Sequence, residues 1–194
     1  MIEARSSGVW SVNKVGRLTA ALAGLFVAGA LAGCVSGRGM SDGGGGGDYH
    51  TFFVSEGVTQ YYIKPMEFES DDEDMNLDIT FRVGPATSDS AVVNFTVEGD
   101  RILKKVDVLT IDNGMDSVST TATRNMFTED RSGTIFARFT NSVPRSGLLS
   151  LFQKPEWKVR LRTGDTTVIY KATGSTRSTI SSMERSLLRI LRAE

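Results

Sequence analysis

After residue 48, hydrophobic and polar residues alternate along much of the chain, which is the pattern of β-strands with one buried face. The clearest example runs from Met75 to Val83, where five apolar residues share one face and four polar residues share the other. The segment from Ala91 to Val97 alternates in the same way, and the intervening Gly84-Pro85 and Ser88-Asp89-Ser90 favour a turn. We therefore expect these two strands to pair antiparallel.

Seven further segments have the composition of strands, at about residues 51–54, 59–68, 104–111, 118–123, 133–139, 157–162 and 166–172. Thr163-Gly164-Asp165 predicts a tight turn between the last two. Asp112-Asn113-Gly114 has the residues of a type I′ hairpin turn, which we favour over a calcium loop because no further position of that motif follows. Many short strands with polar turns predict a mainly β fold, either an antiparallel sandwich or an open barrel.

Helical periodicity occurs in two places. Residues 144–153 predict a short helix that stops before Pro155. At the C-terminus the apolar residues lie within one arc of about 160°, with most arginines outside it, which predicts an amphipathic α-helix docked on a sheet face. The alternative, a helix lying on a bilayer, is weaker because the segment has no Trp or Phe. The apolar residues are Ile180, Met183, Leu187, Leu188, Ile190 and Leu191, and the arginines are Arg185, Arg189 and Arg192.

Composition places the 194-residue chain among ordinary globular proteins, with 22 basic and 23 acidic residues and 40% hydrophobic residues. One cysteine rules out an intrachain disulfide, and one histidine leaves little from which to build a Ser-His or Cys-His triad or a multi-His metal site. The near-zero net charge gives no reason to expect a nucleic-acid partner. No P-loop, dinucleotide-binding or nucleophile-elbow motif is present, so we expect no cofactor and no catalytic residues.

The N-terminal segment has the order of an export signal. Arg5, Lys14 and Arg17 make its start positive, and the stretch from Leu18 to Ala32 carries no charge. As a helix, residues 18–33 would span about 24 Å, less than the roughly 30 Å of a hydrocarbon core. We therefore expect a signal peptide, not a permanent transmembrane helix.

The end of this segment, Leu31-Ala32-Gly33-Cys34, resembles the lipobox of bacterial lipoproteins. The resemblance covers about residues 14–36. It implies that a diacylglyceryl group is attached to the thiol of Cys34, that a dedicated peptidase cleaves before this residue, and that the new amino terminus is acylated. In enterobacterial lipoproteins, an Asp directly after the lipidated cysteine is linked with retention in the inner membrane. Because Val35 follows Cys34 here, the resemblance favours the outer membrane if the cell has two membranes.

These features divide the chain into three parts. Residues 1–33 are the predicted signal peptide, residues 34–48 a lipidated cysteine and glycine-rich tether, and residues 49–194 a single β-rich domain with a C-terminal helix. A glycine-rich coil of this length has an r.m.s. reach of about 20 Å. Two acyl chains hold a protein on a bilayer durably, since each buried methylene contributes about 0.8 kcal/mol. We therefore expect the domain to remain close to the membrane.

Seven carboxylates crowd the segment from Glu67 to Asp78: Glu67, Glu69, Asp71, Asp72, Glu73, Asp74 and Asp78. We favour a solvated, self-repelling turn and expect no metal, because the spacing does not fit an EF-hand calcium loop. A divalent-cation site is the second interpretation. A pair of carboxylates for glycoside hydrolysis is the third.

Charge is unevenly distributed along the chain. Residues 34–100 contain three bases and thirteen acids, whereas residues 101–194 contain sixteen bases and nine acids. The strand predicted at 157–162 places Lys158, Arg160 and Arg162 on one face. Three neighbouring cations repel unless something neutralises them. Either the acidic half folds back onto them, or they form a basic surface for anionic lipid headgroups, an acidic glycan or a partner protein.

These observations lead to an interpretation of the whole chain as a lipid-anchored protein of the bacterial cell envelope. We expect a non-enzymatic binding or assembly role towards an envelope protein. The alternative is a carrier or sensor of a small ligand or anionic lipid, which requires an apolar cavity beneath Tyr61-Tyr62. A carboxylate-based hydrolase is third, and requires inward-facing carboxyls with raised pKa values. The aromatic pairs Phe52-Phe53 and Tyr61-Tyr62 predict strands covered on both faces, and the lone His50 predicts no specific role.

Overall fold

The computed structural model of the protein describes residues 47–191, which form ten strands and two helices. The predicted signal peptide, Cys34 and residues 35–46 lie outside the described residues, as do Arg192 and the side chain of Ile190. The elements are β1 (Tyr49–Ser55), β2 (Val58–Glu69), β3 (Asp74–Val83), β4 (Ala91–Gly99), β5 (Val108–Asp112), β6 (Ser117–Thr120), β7 (Arg124–Arg131), β8 (Thr134–Val143), α1 (Arg145–Leu151), β9 (Lys158–Thr163), β10 (Thr166–Ala172) and α2 (Gly174–Leu191).

All ten strands belong to one antiparallel sheet, in the order β6-β5-β9-β10-β2-β3-β4-β8-β7, with β1 paired to β2 beside this path. The sheet curls into an open half-barrel, and α2 packs against β2 and β10. The predicted mainly β fold with a C-terminal helix is confirmed, and of the two predicted architectures the chain adopts the open barrel. The described residues belong to one compact unit.

Strict alternation builds the centre of the sheet. In β3 and β4 the predicted apolar face is buried, and Leu77 pairs with Phe95 in the expected antiparallel register. Phe95 in turn pairs with Phe139 of β8, and their rings stack with centroids 5.2 Å apart. These cross-strand apolar pairs remove a continuous band of side chains from water, which is the main stabilising contribution in such a sheet.

Strand β2 has two different neighbours along the edge that does not face β3. Its register with β3 shifts between Ile63 and Met66, around Pro65, which has no N–H to donate. Before this irregularity β2 pairs with β1, whereas after it β2 pairs with β10 only at Phe68 and Glu69. Because β2 and β10 are antiparallel and overlap only at their C-terminal ends, the rest of β10 extends past the end of β2 and leaves a gap beside the β2–β3 hairpin.

The two helices close the core. In α2 the predicted apolar residues Ile180, Met183, Leu187 and Leu188 are buried, so the predicted helix is confirmed. Its first turn is tied to β2 through Thr176, whose Oγ1 accepts the Glu67 N–H at 2.8 Å and donates to the Glu67 carbonyl at 2.7 Å. The predicted short helix is α1, which buries Leu148 and Leu151.

Strand β7 was not predicted from the sequence, because its two apolar residues, Met126 and Phe127, are adjacent and do not alternate. It is an edge strand with a register shift between Asn125 and Phe127, and most of its side chains remain exposed. Pairing with β8, not burial, makes it a strand. The strand predicted at 104–111 is shorter than expected, since β5 begins at Val108.

The turn predicted at Asp112-Asn113-Gly114 is present, but it is not type I′. That turn needs two consecutive positive φ angles, and here only Gly114 has one, of 83°. Four residues connect β5 to β6, and the Asn113 side-chain oxygen accepts the N–H groups of Met115 and Asp116 at 2.9 and 2.8 Å. The asparagine acts through its side chain and not through a left-handed backbone.

Candidate functional site

Where β10 extends past the end of β2, an open cleft with a volume of about 1040 Å³ lies between β10 and the β2–β3 hairpin. Glu73 and Arg101 line it, with Thr167, Ile169 and Lys171 on the β10 side. Exposed carboxylates of the hairpin form its rim. The cleft therefore brings the acidic run together with two bases, Arg101 and Lys171.

The hairpin loop folds around Ser70 and turns Glu73 inward. The Ser70 N–H donates to the Glu73 carbonyl at 2.9 Å, and the Ser70 hydroxyl accepts the Glu73 N–H at 3.1 Å. Glu73 is only 6% exposed, while Asp71 and Asp72 face solvent. The predicted acidic turn is confirmed, but the expectation that all its carboxylates are solvated is wrong for Glu73. The Ser-x-x-Glu spacing was the sequence signal for this loop.

Two partners from distant parts of the chain hold the Glu73 carboxylate. The Arg101 guanidinium donates to both carboxylate oxygens, with one N···O distance of 3.1 Å, and the Tyr170 hydroxyl also donates to it. Gly99 allows this approach, because a Cβ at that position would lie 2.9 Å from the Glu73 Cγ. These hydrogen bonds connect the hairpin to β10 across the cleft.

Electrostatics fix the charge of each member of this network. Burial raises the pKa of Glu73, but the hydrogen bonds from Arg101 and Tyr170 outweigh that effect and leave the pKa below its ordinary value. The hydrogen bond to Glu73 raises the pKa of Arg101, and burial raises the pKa of Tyr170. At neutral pH this arrangement is an ionised acid saturated by donors, which suits a structural tie and not proton transfer.

A second buried carboxylate lies on the outer face of the sheet. Asp78 in β3 is 3% exposed and accepts hydrogen bonds from Arg138 at 2.6 Å and from Asn94 at 2.8 Å. The alternation placed Asp78 correctly on the polar face, but its burial was not predicted. The residues that bury Asp78 lie on the neighbouring strands β4 and β8, and the pattern of a single strand does not reveal them.

The third interpretation of the acidic run, a hydrolase, receives no support from these two residues. Glu73 has a lowered pKa where a general acid needs a raised one. Both carboxylates also accept hydrogen bonds on both oxygens, from Arg101 and Tyr170 at Glu73 and from Arg138 and Asn94 at Asp78. Within residues 47–191, no group of three or more potential ligand side chains could hold a metal ion.

The three predicted cations of the basic strand share the outer face of β9. Lys158 and Arg162 are exposed and Arg160 is half-buried, while Trp157, Val159 and Leu161 point into the core. Arg160 lies 2.9 Å from Asp112 Oδ2, close enough for an ion pair although the angles do not make a hydrogen bond.

The acidic half of the sequence neutralises other arginines. Glu73, Asp78 and Asp89 pair with Arg101, Arg138 and Arg145, respectively. In the described part of the chain, neither Lys158 nor Arg162 has a carboxylate within 4.0 Å. Lys171 of β10 is the cross-strand neighbour of Lys158 and adds another cation to the surface. We call Lys158, Arg160, Arg162 and Lys171 the basic face.

A different surface, at β1, is apolar. Phe53 is 80% exposed, Val54 46% and Phe52 38%. A groove of about 660 Å³ lies between Val54 and the β3–β4 loop, with Pro85 and Val92 in its lining. The expectation that the Phe52-Phe53 segment is covered on both faces is therefore wrong. Among the described residues, strand β1 pairs only with β2 and no layer packs over Phe53.

The space beneath Tyr61 is filled. Its side chain is buried, and its ring lies 5.2 Å from that of Phe81 and 6.3 Å from that of Tyr49. Tyr62 faces the other side, where His50 stacks on it with centroids 6.3 Å apart. A ligand cavity at this point, the feature that would favour a carrier, would have to displace those aromatic rings.

No protein-family model, curated protein or solved structure matches this chain. None of the helices within residues 47–191 combines the length and the hydrophobicity needed to cross a membrane.

Proposed function

We propose that the protein is a lipid-anchored, non-enzymatic binding protein of the bacterial cell envelope, and that its basic face holds an acidic surface of an envelope partner. The observation that carries this proposal is the distribution of ion pairs. The buried acids each have an arginine, yet Lys158 and Arg162 remain exposed with no ion pair among the described residues. Cations kept on a rigid strand favour association with an oppositely charged partner.

The anchor in this proposal rests on the resemblance of residues 31–34 to a lipobox. A lipid on Cys34 would limit the search for a partner to the membrane surface, with the domain within about 20 Å r.m.s. of its anchor. In a cell with two membranes the outer one is the proposed site.

A carrier or sensor is the alternative proposal. It is weaker than the first because aromatic rings fill the space around Tyr61 where a ligand cavity would be needed. A carrier or sensor without such a cavity could still recognise anionic lipid headgroups through the cations of the basic face. A hydrolase is the weakest of the three, because both oxygens of the Glu73 and Asp78 carboxylates already accept hydrogen bonds, including one or more from an arginine.

A photo-crosslinking residue at Thr167 tests the proposal in the full-length protein in its native membrane. Thr167 is exposed and lies opposite Arg162 on the neighbouring strand, so the four cations stay intact. We expect a crosslink to one protein, at least tenfold weaker after the double replacement Lys158→Glu/Arg162→Glu. The matched control, Arg124→Glu/Arg185→Glu, reverses two exposed cations on β7 and α2 and should leave the crosslink unchanged.

The position of the crosslinker provides a second control, because Met126 is 52% exposed on the edge strand β7 at one end of the sheet order. Equal crosslinking from Met126 and Thr167, or a crosslink insensitive to charge reversal, would contradict the proposal. Crosslinks to phospholipid alone would favour the lipid-binding alternative.

A further inference from the structure

One end of the curled sheet is apolar. Strand β1 runs towards this end and exposes Phe52, Phe53 and Val54 in succession. Across the groove, Val92 is 41% exposed and Pro85 also faces solvent. Strand alternation places Phe52 on one face of β1 and Phe53 on the other, so exposed apolar side chains lie on both faces at this end of the strand. Apolar residues grouped in this way mark a contact surface more often than single scattered ones do.

The strand pairing places this group opposite the acidic end of the same strands. The β1–β2 turn and the β3–β4 loop lie together, because Ser55 pairs with Val58 and Thr59 with Val83. At the other end of β2 and β3, Glu69 pairs with Asp74 and Asp74 with Glu98. A second cleft there, of about 470 Å³, is lined by carboxylates with no basic residue in its lining: Asp71, Asp72, Glu73, Asp74, Glu98 and Asp100.

This polarity matters beside a bilayer with anionic headgroups. The acidic end is repelled by a negative surface, whereas charges near the apolar end have both signs, with Glu56 and Arg82 exposed. Aromatic and aliphatic side chains partition into the interfacial zone of a bilayer. Repulsion of the acidic end and partition of the apolar side chains both favour an orientation with the apolar end towards the lipid and the acidic end away from it.

The path of the chain allows the same end to reach the membrane. Strand β1 is the first element of the described residues, and it begins fifteen residues after Cys34. Asp48 is fixed to the sheet because its carbonyl accepts the Lys64 N–H at 3.0 Å. From Asp48 to Phe53 a strand covers about 17 Å, comparable with the tether's r.m.s. reach of about 20 Å. A lipid at Cys34 would thus leave Phe53 within range of the bilayer surface.

We infer that Phe52, Phe53 and Val54 insert shallowly into the interfacial zone of the bilayer that carries the lipid anchor. This second contact rests on the proposed lipidation of Cys34 and adds an orientation to it. The domain would stand on its apolar end, with the acidic end pointing away from the membrane. The basic face, on strands that do not contribute to the apolar end, would then remain accessible to a partner.

A fluorescent label at position 53 tests the insertion. In the lipidated chain the sulfur of Cys34 is consumed, so Phe53→Cys introduces a single free thiol for an NBD label. The purified protein is reconstituted into vesicles of phosphatidylethanolamine and phosphatidylglycerol. We expect a blue-shifted emission and quenching by doxyl-labelled lipid several-fold stronger than for Asp72→Cys, a control in the exposed acidic turn. Val54→Cys provides a second probe with the same expectation.

Each outcome has a defined meaning. Equal lipid quenching at positions 53 and 72 would overturn the insertion. Protection of the label from water without lipid quenching would also overturn it, and would indicate contact with a second copy of the chain or another protein. The intact mass of the same sample separates this inference from the proposed function. A lipidated chain with a solvated label refutes only the insertion, whereas a chain with two free thiols and no lipid refutes the anchor.

Discussion

At the scale of single residues, the molecule is organised by arginines that reach buried carboxylates far away in the sequence. Arg101 meets Glu73 and Arg138 meets Asp78, and in each pair the acid is almost completely buried. A buried charge is very unfavourable when it has no partner, so each pair constrains the position of its strands. The Glu73–Arg101 pair is the more informative of the two, because it connects strands across the gap in the sheet.

Glu73→Gln should destabilise the protein by about 2 kcal/mol at neutral pH, since Arg101 loses its counter-charge and one donor is left unsatisfied. The folded-state pKa of Glu73 is lowered, so its contribution is complete above the ordinary glutamate value of about 4.3 and is lost as the pH falls through the folded-state pKa. Denaturant unfolding at several pH values should show the difference from wild type shrinking below about pH 4. A difference that stays constant down to pH 3 would contradict this account.

At the scale of elements, the C-terminal helix closes the core. Leu187 and Met183 are completely buried on α2, and Thr176 fixes the helix to the β2 backbone. The same arrangement explains why β10 holds its place despite sharing only two residue pairs with β2. Packing of α2 across both strands supplies what the short ladder does not.

Leu187→Ala should therefore reduce the free energy of unfolding by about 2–5 kcal/mol, through lost burial and the cavity left behind. Arg185→Ala, on the exposed side of the same helix, should change it by less than about 0.5 kcal/mol. Urea unfolding of the two variants measures both values. Equal effects would mean that α2 is not docked as described.

At the scale of the whole molecule, three surfaces with different properties divide the domain. The acidic end, the basic face and the apolar end of β1 each suit a different environment. A lipid on Cys34 would hold all three near the membrane, since the chain enters the domain at β1, and the proposed insertion of Phe52, Phe53 and Val54 would determine which of them meets it.

Cys34→Ala removes the only thiol that could take the lipid, so we expect the precursor to remain uncleaved and without fatty acid. Intact-mass analysis and fractionation of cells expressing either chain measure this directly. A variant that is still processed and lipidated would show that the motif was misidentified. That result would also remove the basis for the proposed orientation of the domain.

The sequence by itself determined the mainly β fold, most strands and the amphipathic C-terminal helix, because alternation and helical periodicity are local records of which face is buried. It did not reveal β7, whose strand character comes from pairing with β8 and not from its own composition. It also placed Glu73 in a solvated run. The partners that bury this residue lie 28 and 97 positions away, at Arg101 and Tyr170.

Which cations remain exposed was likewise decided only by the tertiary structure. The sequence left open whether the acidic half neutralises Lys158, Arg160 and Arg162 or leaves them as a basic surface. In the structure the acidic half pairs with Arg101 and Arg138 instead, and Lys158 and Arg162 stay exposed. Strand order settles this, since an ion pair depends on distance in space. Hydrophobic periodicity is a property of each segment and can be recognised in its sequence. Charge pairing and the coverage of an edge strand depend on contacts between segments, so they form only in the tertiary structure.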